Sequence, residues 1–145
     1  LPVISNKFPL RDARGKIIGT MCAYYQAEAD WSPEWVTPVK AAVAHIREHY
    51  EEDISVEHLA RICRCTVGKF RRLFAENIGL TPEKFLINFR VNKAKQLLEE
   101  TNMKLSEIVA QTGFYDQSHF TKTFKLSCGI TPGAYRKSHW KTNQP

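Results

Sequence analysis

The sequence predicts a mainly α-helical fold in which two helix-turn-helix units are joined by a long connector helix, with a short β-hairpin in front. Three observations predict it. Strand-favouring residues are concentrated before position 30, apolar residues recur at helical spacing from Ser32 onward, and the helical part repeats itself at an offset of 50 residues. A chain of 145 residues has room for a domain of about 100 residues and an appendage.

Residues 1–31 are predicted to be a hairpin cut from a larger sheet. Residues 3–10 and 17–25 favour strands, and the polar, glycine-containing stretch 11–16 between them suits a turn. Because a lone hairpin is only marginally stable, we expect a longer parent protein that contains the rest of the sheet. Residues 32–36 then form a linker to the helical domain, which we place at 37–141.

Helical periodicity is clear beyond Pro38. Ser32-Pro33 and Thr37-Pro38 each suit a helix N-cap followed by proline at the first helical position. The residues that follow place an apolar stripe on one helix face, namely Val39, Ala42, Val43, Ile46 and Tyr50.

The repeat is the most informative feature of the sequence. Residues of unit one (37–80) and of the first part of the connector recur 50 positions later in unit two (103–141). The matched pairs are Ala60 and Ala110, Phe70 and Phe120, Phe74 and Phe124, Gly79 and Gly129, Thr81-Pro82 and Thr131-Pro132, and Phe85 and Tyr135. So many coincidences at one offset indicate that the same supersecondary unit occurs twice.

Each unit is predicted to be a short helix, a tight turn and a second helix. In unit one, Ser55 caps the first helix, with Leu59 and Ala60 facing inward, and Thr66 caps the second, which runs to about Ile78. In unit two, residues 108–110 precede a turn at Gly113, a residue that suits a positive φ, and Asp116 caps the second helix. Cys63 stands at the position that matches Gly113, so the turn of unit one is strained if it needs a positive φ there.

A connector helix of about residues 81–101 is predicted between the units. Its expected buried side consists of Phe85, Leu86, Phe89, Ala94, Leu97 and Leu98. Twenty residues make a helix roughly 30 Å long, close to the ~34 Å of one turn of B-DNA. Two units mounted at its ends could therefore enter successive major grooves on one face of a duplex.

The distribution of charge favours the same partner. The net charge is +6, and of the 21 basic and 15 acidic residues, four of each lie in residues 1–36, which leaves 17 basic and 11 acidic residues in 37–145. Such an excess of positive charge suits a polyanionic partner.

The composition also bears on the setting of the protein. The hydrophobic content of 43% includes no run long enough to span a membrane. The four cysteines show no disulfide pattern, which favours a reducing cytoplasm. We expect free thiols, no cofactor and no metal.

The second helix of each unit presents the residues that would contact DNA. Opposite the phenylalanines lie Gly68, Arg71, Arg72 and Ala75 in unit one, and Ser118, Thr121, Lys122 and Lys125 in unit two. Arginine pairs with guanine and glutamine with adenine, so Arg71, Arg72 and Gln117 are predicted to read bases. Phosphate contacts are predicted for Thr66, Lys69, Thr121, Lys122 and Lys125.

These residues resemble the AraC/XylS family of bacterial regulators. The resemblance rests on residues 113–125 (GFYDQSHFTKTFK) and 129–136 (GITPGAYR), and it covers about residues 37–137. Between these bounds it continues through residues 59–60, 70–74 and 81–82 and through Arg90, Ala94, Leu97 and Leu98 of the connector. It implies a promoter-binding regulator with RNA polymerase as a second partner. It also implies recognition positions at Gly68, Arg71, Arg72, Gln117, Ser118 and Lys122, so that Lys122 is assigned to bases as well as to phosphate. Gly68 lacks a side chain, and Lys122 stands where the family usually has arginine, which removes a bidentate donor.

Residues 9–25 resemble the last two strands of a PAS sensor domain, over a short stretch. The resemblance implies that the parent protein senses an effector through that domain. The effector and its contact residues do not follow from these residues.

Four other interpretations are weaker. His45-Ile-Arg-Glu48-His49 has the H-x-x-E-H form of an inverted zinc protease motif, but such an enzyme needs a third ligand from a larger fold. Cys63 and Cys65, with His58 nearby, could form a metal clip or a redox switch, although thiols at a turn are simpler. A sensor module whose helices dock to a protein is the main alternative to DNA binding. RNA binding lacks an exposed aromatic platform.

Overall fold

The computed structural model describes residues 3–11, 17–26 and 36–140, with side chains for residues 38–139. Strand β1 (Val3–Arg11) pairs antiparallel with β2 (Ile17–Gln26), Val3 lying opposite Gln26, with an irregularity in register after Leu10. These strands match the two strands predicted for the hairpin. The predicted turn at 12–16 and nearly all of the linker at 32–36 lie outside the described residues, and the PAS assignment stays a prediction.

The described part of the helical region contains seven helices. They are α1 (Val36–His49), α2 (Val56–Ile62), α3 (Val67–Ile78), α4 (Pro82–Glu100), α5 (Leu105–Gln111), α6 (Gln117–Cys128) and α7 (Pro132–Trp140). The pairs α2–α3 and α5–α6 are the two predicted helix-turn-helix units, and α4 is the predicted connector. The mainly α-helical fold class is therefore confirmed.

Local capping chemistry fixes where these helices begin and end. The side chains of Ser55, Thr66, Thr81 and Asp116 each accept a hydrogen bond from the backbone N–H three residues later. Gly79 and Gly129 end α3 and α6 in the left-handed conformation, with φ of 75° and 82°. The caps predicted at Ser55, Thr66 and Asp116 are thus confirmed.

One predicted helix start is wrong. Helix α1 begins at Val36, so Thr37 lies within the helix and is not its N-cap. Pro38 is then the third helical residue, still within the first turn, where a backbone N–H has no acceptor inside the helix and its loss carries no penalty.

Each unit has its own hydrophobic core. In unit one, α1, α2 and α3 bury Ile46, Leu59, Phe70 and Phe74 against the first part of α4. In unit two, Ile108, Phe120 and Phe124 pack against the second part of α4. Val39 and Ala42 are buried as the apolar stripe on α1 predicts, while Val43 and Tyr50 are half-buried.

Helix α4 contributes to both cores. Phe85 and Leu86 belong to the core of unit one, whereas Val91, Ala94 and Leu98 belong to that of unit two. From Leu86 to Val91 the helix turns by a net angle of about 140°, so its buried side changes direction along its length. A single buried stripe was therefore only partly right: Phe89 and Leu97 are half-buried, and Val91, which that stripe omits, is 2% exposed.

The two units match at an offset of 49 residues before the turn and at 50 after it. Val109, not Ala110, takes the buried place of Ala60, and Ala110 is exposed. Arg64, not Cys63, corresponds to Gly113, because these two residues share the left-handed conformation, with φ of 52° and 72°. Cys63 has a φ of −80°, so the turn does not require a positive φ at that residue and the condition for strain there is not met. Unit two has one more residue than unit one between this position and the cap of the second helix.

Candidate nucleic-acid interface

The second helix of each unit has one buried face and one exposed face. Phe70 and Phe74 anchor α3, Phe120 and Phe124 anchor α6, and the exposed fraction of all four side chains is 1% or less. Successive residues of a helix are about 100° apart, so the residue two positions after the first phenylalanine of each pair lies on the exposed face. This packing fixes which residues of α3 and α6 a partner can reach.

On α3, the structure brings the predicted readers to the surface and pairs both arginines with carboxylates. Gly68, Arg71 and Arg72 are exposed. Nη2 of Arg71 lies 2.6 Å from Oε1 of Glu83 in the first turn of α4, and Nε of Arg72 lies 3.9 Å from Oε1 of Glu76. The sequence analysis gave no role to either carboxylate.

The predicted phosphate contacts on α3 lie at its N-terminus. The Thr66 hydroxyl accepts a hydrogen bond from the backbone N–H of Lys69, and both side chains are exposed. Gly68 leaves open space, because a Cβ built there would meet no atom within 4 Å. The N-terminal turn of α3 is therefore accessible to a partner.

On α6, the predicted residues form a more basic surface. Gln117, Ser118, Lys122 and Lys125 are exposed, whereas Thr121 is half-buried. Within the described residues, no carboxylate lies at ion-pair distance from Lys122 or Lys125. Unlike the arginines of α3, these two lysines present positive charge without a carboxylate beside them.

Tyr115 is a surface residue that the sequence analysis missed. Its side chain is 94% exposed, and it directly precedes Asp116, the N-cap of α6. It lies in the turn of unit two that is one residue longer than that of unit one. The sequence signal was therefore the length of this turn, which the single offset of 50 concealed.

The histidines of the H-x-x-E-H stretch lie on α1, where the ring of His45 also packs on that of His58 in α2. The rings of His45 and His49 stack with centroids 4.5 Å apart, and Nδ1 of His49 lies 2.9 Å from Oε1 of Glu52. Burial and the neighbouring imidazoles lower the pKa of His45, while the hydrogen bond to Glu52 raises that of His49. Among the side chains that the structure describes, no three histidine, cysteine or acidic residues are placed to hold a metal ion.

Cys63 has a structural environment. Its thiol is buried and donates a hydrogen bond to the carbonyl oxygen of Pro38, at 2.9 Å. Burial raises its pKa to about 11, which disfavours the reactive thiolate. Cys65 and Cys128 are also free thiols.

No helix in the described ranges is long and apolar enough to cross a bilayer.

Comparisons with known proteins agree with this architecture. A family model described as "Helix-turn-helix domain" matches residues 59–138. The probable transcriptional regulator LumQ of Photobacterium leiognathi is 32% identical over 92 residues, which is 63% of this chain and 37% of LumQ. The chain spans about a third of the length of the curated relatives that it matches.

Two solved structures have the same fold. The DNA-binding domain of AdpA, a global transcriptional factor in complex with a target DNA, matches 73% of this chain and 96% of that chain, with 30% identity and a TM-score of 0.70. An AraC-type regulator from Chromobacterium violaceum matches 76% of this chain and 96% of its own, with 28% identity and a TM-score of 0.68. With its two helix-turn-helix units on either side of α4, the chain belongs to the AraC-type family of helix-turn-helix, DNA-binding transcriptional regulators.

Proposed function

We propose that the chain binds promoter DNA by placing α3 and α6 in successive major grooves. The observation that carries this proposal is the arrangement of the two helices. Each is anchored by two buried phenylalanines, each exposes polar and basic residues, and a helix of 19 residues joins their units. At 1.5 Å per residue, α4 is roughly 28 Å long, which is comparable to one turn of B-DNA.

Within this proposal, different side chains provide specificity and affinity. Arg71 and Arg72 on α3, with Gln117 and Ser118 on α6, contact base edges, and Gly68 lets the backbone of α3 approach the groove. Thr66, Lys69, Thr121 and Lys125 contact phosphates. Lys122 donates as a single point, to a base or to a phosphate, because an ammonium group lacks the bidentate geometry of arginine.

The parent protein is proposed to be a cytoplasmic regulator without catalytic activity of its own. In this proposal a PAS-like domain ahead of residue 32 senses an effector, and RNA polymerase is a second partner at the promoter. The histidines of α1 support this view, because the rings of His45 and His49 stack on each other and Nδ1 of His49 is hydrogen-bonded to Glu52.

The first experiment is selection of bound sequences from a randomised duplex pool at moderate salt. Two unlike motifs about one helical turn apart would support the proposal. An affinity that does not fall as salt rises would contradict it and favour docking to a protein, since phosphate contacts release counterions.

Single substitutions then separate the two kinds of contact. Arg72→Ala should relax the preference for a base within one motif, whereas Lys125→Ala should weaken binding to all sequences alike. Equal losses on every duplex for both variants would contradict the assignment of Arg72 to base contacts.

A further inference from the structure

Parts of both units meet at the end of α1. There the backbone carbonyl groups of residues 50–52 are contacted by residues from two other segments, α4 and the turn of unit two. Arg90, in the middle of α4, donates from Nε to the carbonyl oxygen of Tyr50 and from Nη2 to that of Glu52, both at 2.7 Å. Gly113, from the turn of unit two, approaches so closely that a Cβ built on it would lie 2.7 Å from the carbonyl oxygens of Tyr50 and Glu51. We call residues 50–52, Arg90 and Gly113 the junction.

The chemistry of Arg90 suits a fixed contact. Its guanidinium is planar, so two hydrogen bonds to carbonyls two residues apart define its orientation. Its positive charge lies beside the C-terminal end of α1, where carbonyl dipoles favour a cation. Burial lowers the pKa of Arg90, and Asp53 opposes that effect.

Side chains reinforce the same contact. The ring of Tyr50 packs on that of Phe89, with centroids 5.3 Å apart. Nζ of Lys93 lies 5.8 Å from the centre of the Tyr50 ring and 5.6 Å from that of Phe89, within the range of cation–π attraction. The end of α1 is therefore held to the middle of α4 through backbone, aromatic and charged groups together.

The contact at Gly113 extends to α6. The next residue, Phe114, is buried in the core of unit two, and its ring packs on Phe120 of α6 with centroids 5.1 Å apart. The equivalent residue in unit one, Arg64, has the same left-handed backbone with an exposed side chain. The turn alone therefore tolerates a side chain, and the exclusion of one at Gly113 comes from unit one.

We infer that the junction sets the separation and relative rotation of α3 and α6, and so determines how many base pairs separate the two motifs that the chain binds at once. The inference rests on the proposed function and makes Arg90 and Gly113 positioning residues. One base-pair step moves a motif by about 3.4 Å along the duplex axis and rotates it by roughly 34°. A braced connector cannot follow that change without breaking contacts at the junction.

The test is selection of bound sequences from the randomised duplex pool, with the unaltered chain and with Arg90→Lys. This substitution keeps the positive charge and removes the bidentate hydrogen-bond donor. The unaltered chain should return two motifs at one separation. Arg90→Lys should return the same motifs over several separations. Insertion of one base pair between the motifs should weaken binding about tenfold for the unaltered chain and less than about threefold for the variant.

Arg136→Lys is the matched control. Nη2 of Arg136 also donates to a backbone carbonyl, that of Met103 at 2.6 Å, but both residues lie in unit two. This control should keep the single separation. If Arg90→Lys returns the two motifs at the same single separation as Arg136→Lys, the inference is overturned.

A measurement without DNA distinguishes failure of the junction from failure of the proposed function. Backbone ¹⁵N relaxation of the unaltered chain should give one rotational correlation time for both units, and Arg90→Lys should give two. If Arg90→Lys does not fold, Arg90→Gln, which keeps one donor, replaces it. One correlation time in the folded variant would overturn the inference, whatever the DNA selection returns.

Discussion

Replacing Gly113 with alanine tests the close approach of unit two to the end of α1. Gly113 has a φ of 72°, and the added Cβ would lie 2.7 Å from two carbonyl oxygens and 2.9 Å from a carbonyl carbon. The left-handed backbone costs a residue with a side chain about 1–2 kcal/mol. Relief of the overlap requires a backbone shift that costs about 1–3 kcal/mol. We therefore expect Gly113→Ala to lower the free energy of unfolding by about 2–5 kcal/mol.

Gly133→Ala is the matched control. Gly133 is the second residue of α7, and a Cβ there would meet no atom within 4 Å. Because alanine favours a helix over glycine, this variant should gain up to about 1 kcal/mol. The two changes add the same atoms to unit two, so opposite signs isolate the effect of position.

Thermal and urea unfolding followed by circular dichroism at 222 nm would measure both variants. For a domain of this size, a loss of 2 kcal/mol corresponds to a fall in Tm of about 10 °C. A loss below about 1 kcal/mol for Gly113→Ala, within the range of ordinary substitutions, would refute the contact between Gly113 and the end of α1.

Three further predictions concern unit one and its contact with the connector helix. Arg64→Gly should raise the free energy of unfolding by up to about 1 kcal/mol, because it relieves the φ of 52° at some cost in chain entropy, and a lower Tm would contradict this. Glu83→Gln should raise affinity for every duplex roughly two- to tenfold and reduce discrimination at the base pair that Arg71 contacts. Fluorescence anisotropy with single-base variants of the selected site would measure this discrimination, and an unchanged value would contradict the prediction. Cys63 should react with iodoacetamide at pH 8 at least about 100-fold more slowly than a thiol of pKa 9, because its raised pKa keeps it neutral; early labelling of Cys63 in mass spectra would count against that environment.

Much of the fold could be predicted because strong local signals agree with the tertiary structure. Phe70, Phe74 and their counterparts in unit two stand four residues apart, which places each pair on one helix face. Thr66 and Asp116 combine a capping side chain with a helical pattern just beyond it. At such positions the local preference of the residue, the helical spacing of apolar residues and the burial in the structure all agree.

The errors in matching the two units arise where one residue changes the register. Ala60 and Ala110 are identical at an offset of 50, yet Ala110 is exposed, since unit two has an extra residue beyond Gly113. A shift of one position rotates a helical residue by about 100°, enough to move it from the core to the surface. A small, common residue such as alanine cannot reveal that shift.

Part of the site depends on tertiary structure that no local pattern contains. Arg71 and Glu83 stand 12 residues apart on different helices, and their contact depends on how α3 meets the start of α4. Sequence periodicity placed Arg71 on an exposed face but could not identify its partner. Contacts of Arg90 with the carbonyls of residues 50 and 52 were hidden for the same reason, since a backbone acceptor has no sequence signature.

The division of α4 between two cores has a consequence for how the domain unfolds. Residues of α4 complete the hydrophobic core of each unit. Phe85 and Leu86 belong to the core of unit one, and Val91, Ala94 and Leu98 belong to that of unit two. Fraying of α4 from either end therefore uncovers apolar surface in one repeat and removes helical support from the other. Two repeats that share a helix in this way should melt cooperatively, and the amide protons at the centre of α4 should be among the slowest to exchange with solvent.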